Sequence, residues 1–164
     1  MDKKLGIKSN IDFSKIVLDS QFEAVFDSIT QLVAKHLEAP AALITFVDYD
    51  SIWIHSEVGY SGEKVVSNNK KFCGMFPRNE QFIEIPNTDL DELHKEHDYL
   101  IEGIKAKYYA AARIKLPLGE VIGLLCIFDI NPRSLNVKQR EFLIDIAKVI
   151  EKIMVTKRFQ NRIS

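Results

Sequence analysis

The chain has 164 residues, of which 46% are apolar and 27% charged, and its formal net charge is −1. This is one domain's worth of sequence with an ordinary globular balance, which excludes the low-hydrophobicity regime of disorder. A charge so near zero also excludes the basic footprint of a nucleic-acid or membrane-surface binder.

The longest apolar run, Val121 to Phe128 with Gly123 inside it, is far too short to span a bilayer. The N-terminus has lysines but no apolar core behind them, so it does not read as a signal peptide, and the expected location is the cytoplasm. The two cysteines, Cys73 and Cys126, are too few for a secreted disulfide scaffold. They are expected as reduced, buried thiols.

Residues 1–18 read as a polar N-terminal arm. From Asp19 to Leu37, apolar residues at Phe22, Val25, Phe26, Ile29, Leu32, Val33 and Leu37 mark one face of a helix. It stops before Pro40. Ala41–Asp48 and Ile52–Val58 are β-rich runs joined at Tyr49-Asp50-Ser51, which predicts a hairpin. Residues 60–80 read as a loop with a helical turn or two around Phe72, Cys73, Met75 and Phe76. Gln81–Ile85 predicts a short strand ended by Pro86, and Asp89–Lys105 carries a weak helical pattern in Leu90, Leu93, His97 and Ile101.

Tyr108 to Asp129 is the most informative stretch, a strand, a tight turn and a second strand. The first strand has an aromatic pair and then Ala110, Ala111 and Ala112, which leave space beside the sheet where a small molecule can sit. The second is almost wholly apolar and is expected to be covered on both faces. Asn131-Pro132-Arg133-Ser134 is turn chemistry, and Asn136 is the expected N-cap of a helix running to about Arg158. Its residues Leu143, Ile146, Ile150 and Ile153 have the spacing of a helix that packs on a helix. The domain is expected to span 19–158, with 159–164 a tail or a truncated linker to an output domain. Terminal helices on one face of an antiparallel sheet, with 60–105 over the other, make an α+β fold.

Several features in this order resemble a GAF domain, a small-molecule-sensing module of signalling proteins. Trp53, Ser56 and Gly59 follow the second strand as in that family, and Phe72-Cys73 resembles its Phe-Cys pair. Phe82 to Asp89 matches its strand leading to an aspartate. Tyr108-Tyr109-Ala110-Ala111-Ala112, Gly119 and Ile122 to Asp129 match most closely, and Asn131 to Leu135 with Gln139 and Leu143 continues the likeness. The resemblance implies a central antiparallel sheet of five to six strands, with the first and last helices on one face and ligand-binding loops on the other.

The candidate ligand-binding residues are Trp53, Phe72, Cys73, Asp89, His97, Tyr108, Tyr109, Ala111 and Arg113. Trp53 either stacks on a planar ligand or packs on the sheet. Tyr108 and Tyr109 must point to opposite faces, so at most one of them lines a pocket. Phe72 and Cys73 either cap the pocket or fill the core. Asp89 either bonds a polar ligand group or caps the next helix. Arg113 either reaches solvent or pairs with an anionic ligand or a carboxylate. His94 and His97, three apart, would share a helix face where a metal can bridge them, but without a third ligand they read as solvated surface residues. No metal site is expected and the cofactor is left unknown.

No nucleophile with an adjacent base and oxyanion site is legible. Cys73 and Cys126 do not match the loop cysteines of the free methionine-(R)-sulfoxide reductases, and neither precedes a histidine as in bilin-attaching relatives. The Asn-Lys-X-Phe-Asp-Glu signature of cyclic-nucleotide binders is absent, although Asn69 to Cys73 echoes its start. The expected function is therefore a non-catalytic sensory domain with an unknown small ligand, signalling through its terminal helices as a homodimer or to a downstream output domain. The alternatives are a cysteine-dependent redox enzyme and a ligand-free dimerisation module.

Overall fold

The structure is a computed structural model that describes residues 20–47, 51–67, 80–96 and 99–163. Phe72, Cys73 and His97 lie outside the described residues, as do Tyr49 and Asp50 of the first hairpin turn. The elements in chain order are α1 (Ser20–His36), β1 (Ala41–Val47), β2 (Ser51–Val58), β3 (Val65–Ser67), β4 (Phe82–Ile85), a 3-10 turn (Thr88–Leu90), β5 (Leu100–Ile101), β6 (Ile104–Lys105), β7 (Tyr108–Lys115), β8 (Val121–Asp129) and α2 (Val137–Ile163). No described helix is long and apolar enough to cross a membrane.

Six strands form one antiparallel sheet in the order β3-β2-β1-β8-β7-β4. The apolar runs take the inner places. β1, and β7 and β8 apart from their final residues, are buried along their length, whereas β2 alternates between buried and half-buried positions. That difference follows from period-two geometry, because only a strand covered on both faces can be apolar at every position.

Both helices lie on one face. Phe22, Phe26 and Val33 of α1, Leu37 just after it, and Leu143, Ala147, Ile150 and Met154 of α2 bury themselves against Ala42, Ile44, Tyr108 and Ala110. Ile146 and Ile153, which share the expected stripe, are only partly buried. The reason is the partner: α2 lies along β7 more than along α1, and a sheet accepts a broader helix face than a second helix does. The two helices meet where His36 stacks on Phe142 at 4.1 Å. Asn136 caps α2 as its type predicts, accepting from Gln139 N–H at 2.8 Å while Gln139 Oε1 accepts from Asn136 N–H at 2.9 Å.

The helical pattern in 89–105 does not become a helix. Asn87 caps the short 3-10 turn by accepting from Asp89 N–H, and Thr88 is tied to the sheet through Lys107 O (2.8 Å) and Ala106 O (3.1 Å). Glu102 and Gly103 both have positive φ and fold β5 back on β6. Leu90 and Leu93 consequently face solvent at 81% and 71% exposure, whereas His94 is buried.

Candidate functional site

The strand period divides the expected site residues between two faces. Tyr108, Ala110, Ala112 and Ile114 point to the helices, whereas Tyr109, Ala111 and Arg113 point away from them. Register then brings in their neighbours. Ala111 lies opposite Cys126 on β8 and Ile83 on β4, Tyr109 opposite Phe128, and Arg113 opposite Leu124. This second face, together with Ala41 and Leu43 of β1, is the candidate site.

Small side chains and rings share that face. Tyr109 and Phe128 have centroids 5.0 Å apart, Tyr99 stacks on Phe128 at 5.0 Å, and Tyr60 leans on Tyr99 at 6.1 Å. The aromatic row thus reaches from β7 to the chain that follows β2. Beside it, Ala41, Ala106 and Ala111 contribute only methyl groups. These residues pack together as a buried layer of flat apolar rings and small side chains, the chemistry that suits an apolar or planar ligand.

Arg113 is 3% exposed, so the solvent reading fails for it. Its backbone is pinned to Gln81, N–H to carbonyl at 3.1 Å and carbonyl to side-chain amide at 3.3 Å. Burial lowers its pKa below the usual guanidinium value, and the nearby Glu80 acts in the opposite direction. A guanidinium stays charged under such a shift, so this face carries a buried cation.

Trp53 and Tyr108 are not on this face. Trp53 is the cross-strand partner of Phe46, which belongs to the helix-side core, so the indole faces α1. Tyr108 donates to Glu84 Oε2 at 2.7 Å and lies 5.6 Å beneath the Arg133 guanidinium. Burial and the Glu84 hydrogen bond push its phenol far up in pKa, which keeps it a neutral donor. Asp89 is exposed and pairs loosely with Lys107 at 3.6 Å, and the capping expected of it is done by Asn87. Of the candidates, Tyr109, Ala111 and Arg113 are brought together.

His94 was expected on the surface beside His97, and it is 5% exposed. Its Nδ1 meets Asp91 Oδ1 at 2.8 Å. Burial raises the Asp91 pKa, but the hydrogen bond and charge of His94, with backbone N–H groups of Leu93 and His94, outweigh it and leave the carboxyl below its usual value. No group of three His, Cys, Asp or Glu among the described residues is placed to hold a metal. Cys126 is wholly buried, 3.8 Å from the Tyr109 hydroxyl, and a thiol so enclosed is slow to react.

Tyr60, Tyr99 and Phe128 also pack on this candidate face and are not among the residues that the sequence points to. Phe128 was within reach: once Tyr109 is assigned to the pocket side, pairing across a short-turn hairpin puts Phe128 beside it. Tyr99 had no such signal, because its place depends on the 3-10 turn. A separate groove of about 460 Å³ lies at the far end of β7, between Leu116, Pro117 and the Glu151–Thr156 stretch of α2.

A family model described as GAF domain matches residues 21–154. A cyclic di-GMP phosphodiesterase of Pseudomonas aeruginosa is 23% identical over 118 residues, which are 72% of this chain and 20% of that protein. This chain therefore spans about a fifth of that relative's length. Among solved structures, the GAF domain of a phosphoenolpyruvate-protein phosphotransferase from Coxiella burnetii superposes with a TM-score of 0.73 at 14% identity, covering 85% of this chain and 86% of that one. The free methionine-R-sulfoxide reductase of Neisseria meningitidis, solved with its substrate, gives 0.71 at 14% identity, covering 90% and 86%.

Proposed function

The chain belongs to the GAF family, and on that premise we propose that it is a non-catalytic sensory domain whose small ligand sits on the Tyr109–Ala111–Arg113 face, under the 60–105 segment. The observation that supports this most is the composition of that face: small side chains at Ala111 and Ala106, a row of rings, and the buried Arg113 cation. Arg113 suits a ligand with a carboxylate or phosphate group, which a guanidinium grips with two parallel hydrogen bonds. The enclosed Cys126 argues against a redox enzyme built on that thiol, although a methionine sulfoxide reductase shares the fold.

The output runs through the helices. Tyr109 faces the ligand and the adjacent Tyr108 reaches Glu84, whose carboxylate also accepts from Leu135 N–H at 2.8 Å, just before α2. A ligand that favours one packing of β7 then biases the helices by its difference in affinity for the two states. The terminal helices pass that bias to a homodimer partner or a downstream output domain, and the cytoplasm is the compartment that goes with this role.

A thermal-shift screen with cyclic nucleotides, nucleotides, haem, amino acids and dicarboxylates tests the reading. At least one compound is expected to raise the thermal midpoint saturably, since binding to the folded state alone stabilises it by mass action. A panel without effect, with a dimer in sedimentation, would replace the sensor with a ligand-free dimerisation module.

A further inference from the structure

Between Ile44 and Thr45 the register of β1 with β2 shifts, because Ile44 pairs with Ser56 and Thr45 with Ile54. The extra residue is His55. A bulge puts two consecutive side chains on one face, and here the imidazole lies on the helix side beside Ser56. The ring stands at a steep angle to Phe26 of α1 (5.3 Å, 80°) and to Phe46 of β1 (5.4 Å, 62°). His55 Nε2 is buried without a hydrogen-bond partner, as is Nε1 of Trp53 on the same face. Next to them Ser56 donates to Asp27 at 2.6 Å and meets Thr30 at 2.8 Å, a polar seam that ties α1 to β2.

We propose that His55 is a proton-operated wedge, which seats α1 on the sheet while the ring is neutral and loosens it once the ring is charged. Protonating the ring places a charge against two phenyl rings on a side chain whose Nε2 is buried and makes no hydrogen bond among the described residues, and burial disfavours that charged form. The charged groups that face the ring from α1 are Glu23 and Asp27, and Asp27 already accepts from Ser56. From β1 comes only Phe46. On β2 itself Glu57 lies opposite Leu43, on the other face of the sheet, where it pairs with Lys64. Burial outweighs the two carboxylates and lowers the His55 pKa below the ordinary 6.5.

The folded state thus binds fewer protons than the unfolded chain between that lowered pKa and about 6.5. Stability from the neutral ring is complete above about pH 6.5 and is lost as the pH falls through that window. This device does not depend on which ligand occupies the other face. α1 is one of the two helices that carry the proposed output, so acidification would act on the output without touching the ligand.

The test is an NMR titration of the His55 ring in the full chain, with thermal unfolding at about pH 7.5 and about pH 5.5 for wild type, His55→Phe and His55→Gln. Trp53, the single tryptophan of the chain, reports the same event by fluorescence. We expect a His55 midpoint below 6.5, a Trp53 emission change with that midpoint, and a wild-type loss of thermal midpoint larger than either variant's by about 3 °C or more. A His55 midpoint at or above 6.5, or equal losses in wild type and variants, would overturn the proposal. Should His55→Phe fail to fold, His55→Gln and the wild-type titration decide.

Discussion

Gly123→Ala is expected to remove a large share of the protein's stability, about 3–4 kcal/mol out of a total of about 5–15 kcal/mol. Gly123 sits in β8 between β1 and β7, and a Cβ there would lie 2.0 Å from the Thr45 carbonyl oxygen, 3.1 Å from its carbon and 3.2 Å from the Phe46 ring. The obstructing atom is backbone in a strand buried on both faces, so no side-chain rotation relieves the clash. The adjacent strand would have to move, and β1 is held by β2 and β8 together. Gly119→Ala is the control. Its φ of +92° makes alanine strained, but nothing lies within 4 Å, so the expected cost is about 1 kcal/mol. Urea unfolding of both variants checks the pair, and a Gly123→Ala midpoint equal to that of Gly119→Ala would show that the strands are not so closely packed.

Arg133→Ala is expected to cost about 2–3 kcal/mol. The guanidinium donates to Leu37 O at 2.7 Å, to Glu38 O at 3.1 Å and to Asp129 Oδ2 at 3.1 Å, while lying over the Tyr108 ring. It therefore satisfies carbonyls at the end of α1, where Glu38 turns out of the helix with φ of 50°, and ties them to the last residue of β8. Removing it leaves those carbonyls and a half-buried carboxylate without their charged donor. Arg133→Lys should recover less than half, because an ammonium cannot reach three acceptors in a plane and stack on a ring as well. Chemical denaturation of the two variants measures this directly, and full rescue by lysine would mean that charge alone matters.

The elements with strong period were legible from sequence. Phe22, Phe26, Val33 and Leu37 fix α1, the alternate positions of β2 and the unbroken apolar run of β8 fix their strands, and Asn136 with Gln139 fixes the start of α2. What escaped was decided by contacts distant in sequence. Trp53 looks like a ligand platform in a strand read alone, and only its pairing with Phe46 turns it to the helix side. The one-residue bulge that puts both His55 and Ser56 on the helix side is announced by no local pattern. Leu90, Leu93 and His94 mislead because Thr88 is anchored to Ala106 and Lys107, which replaces a helix with turns and reverses inside and outside. Tyr109 and Ala111 were assignable as alternate positions of one strand, but which parity faced the ligand layer required the helices to be placed first.

Ala111→Leu probes the proposed ligand face most directly, since it adds bulk opposite Cys126 and next to Arg113 without adding charge. The measurement is calorimetric titration of wild type and variant with the compound that stabilises the wild type in the screen. A ligand seated on this face predicts a loss of affinity of about 100-fold or more, in a protein destabilised by no more than about 1–3 kcal/mol. Unchanged affinity in a folded variant would contradict the placement of the ligand on the Tyr109–Ala111–Arg113 face.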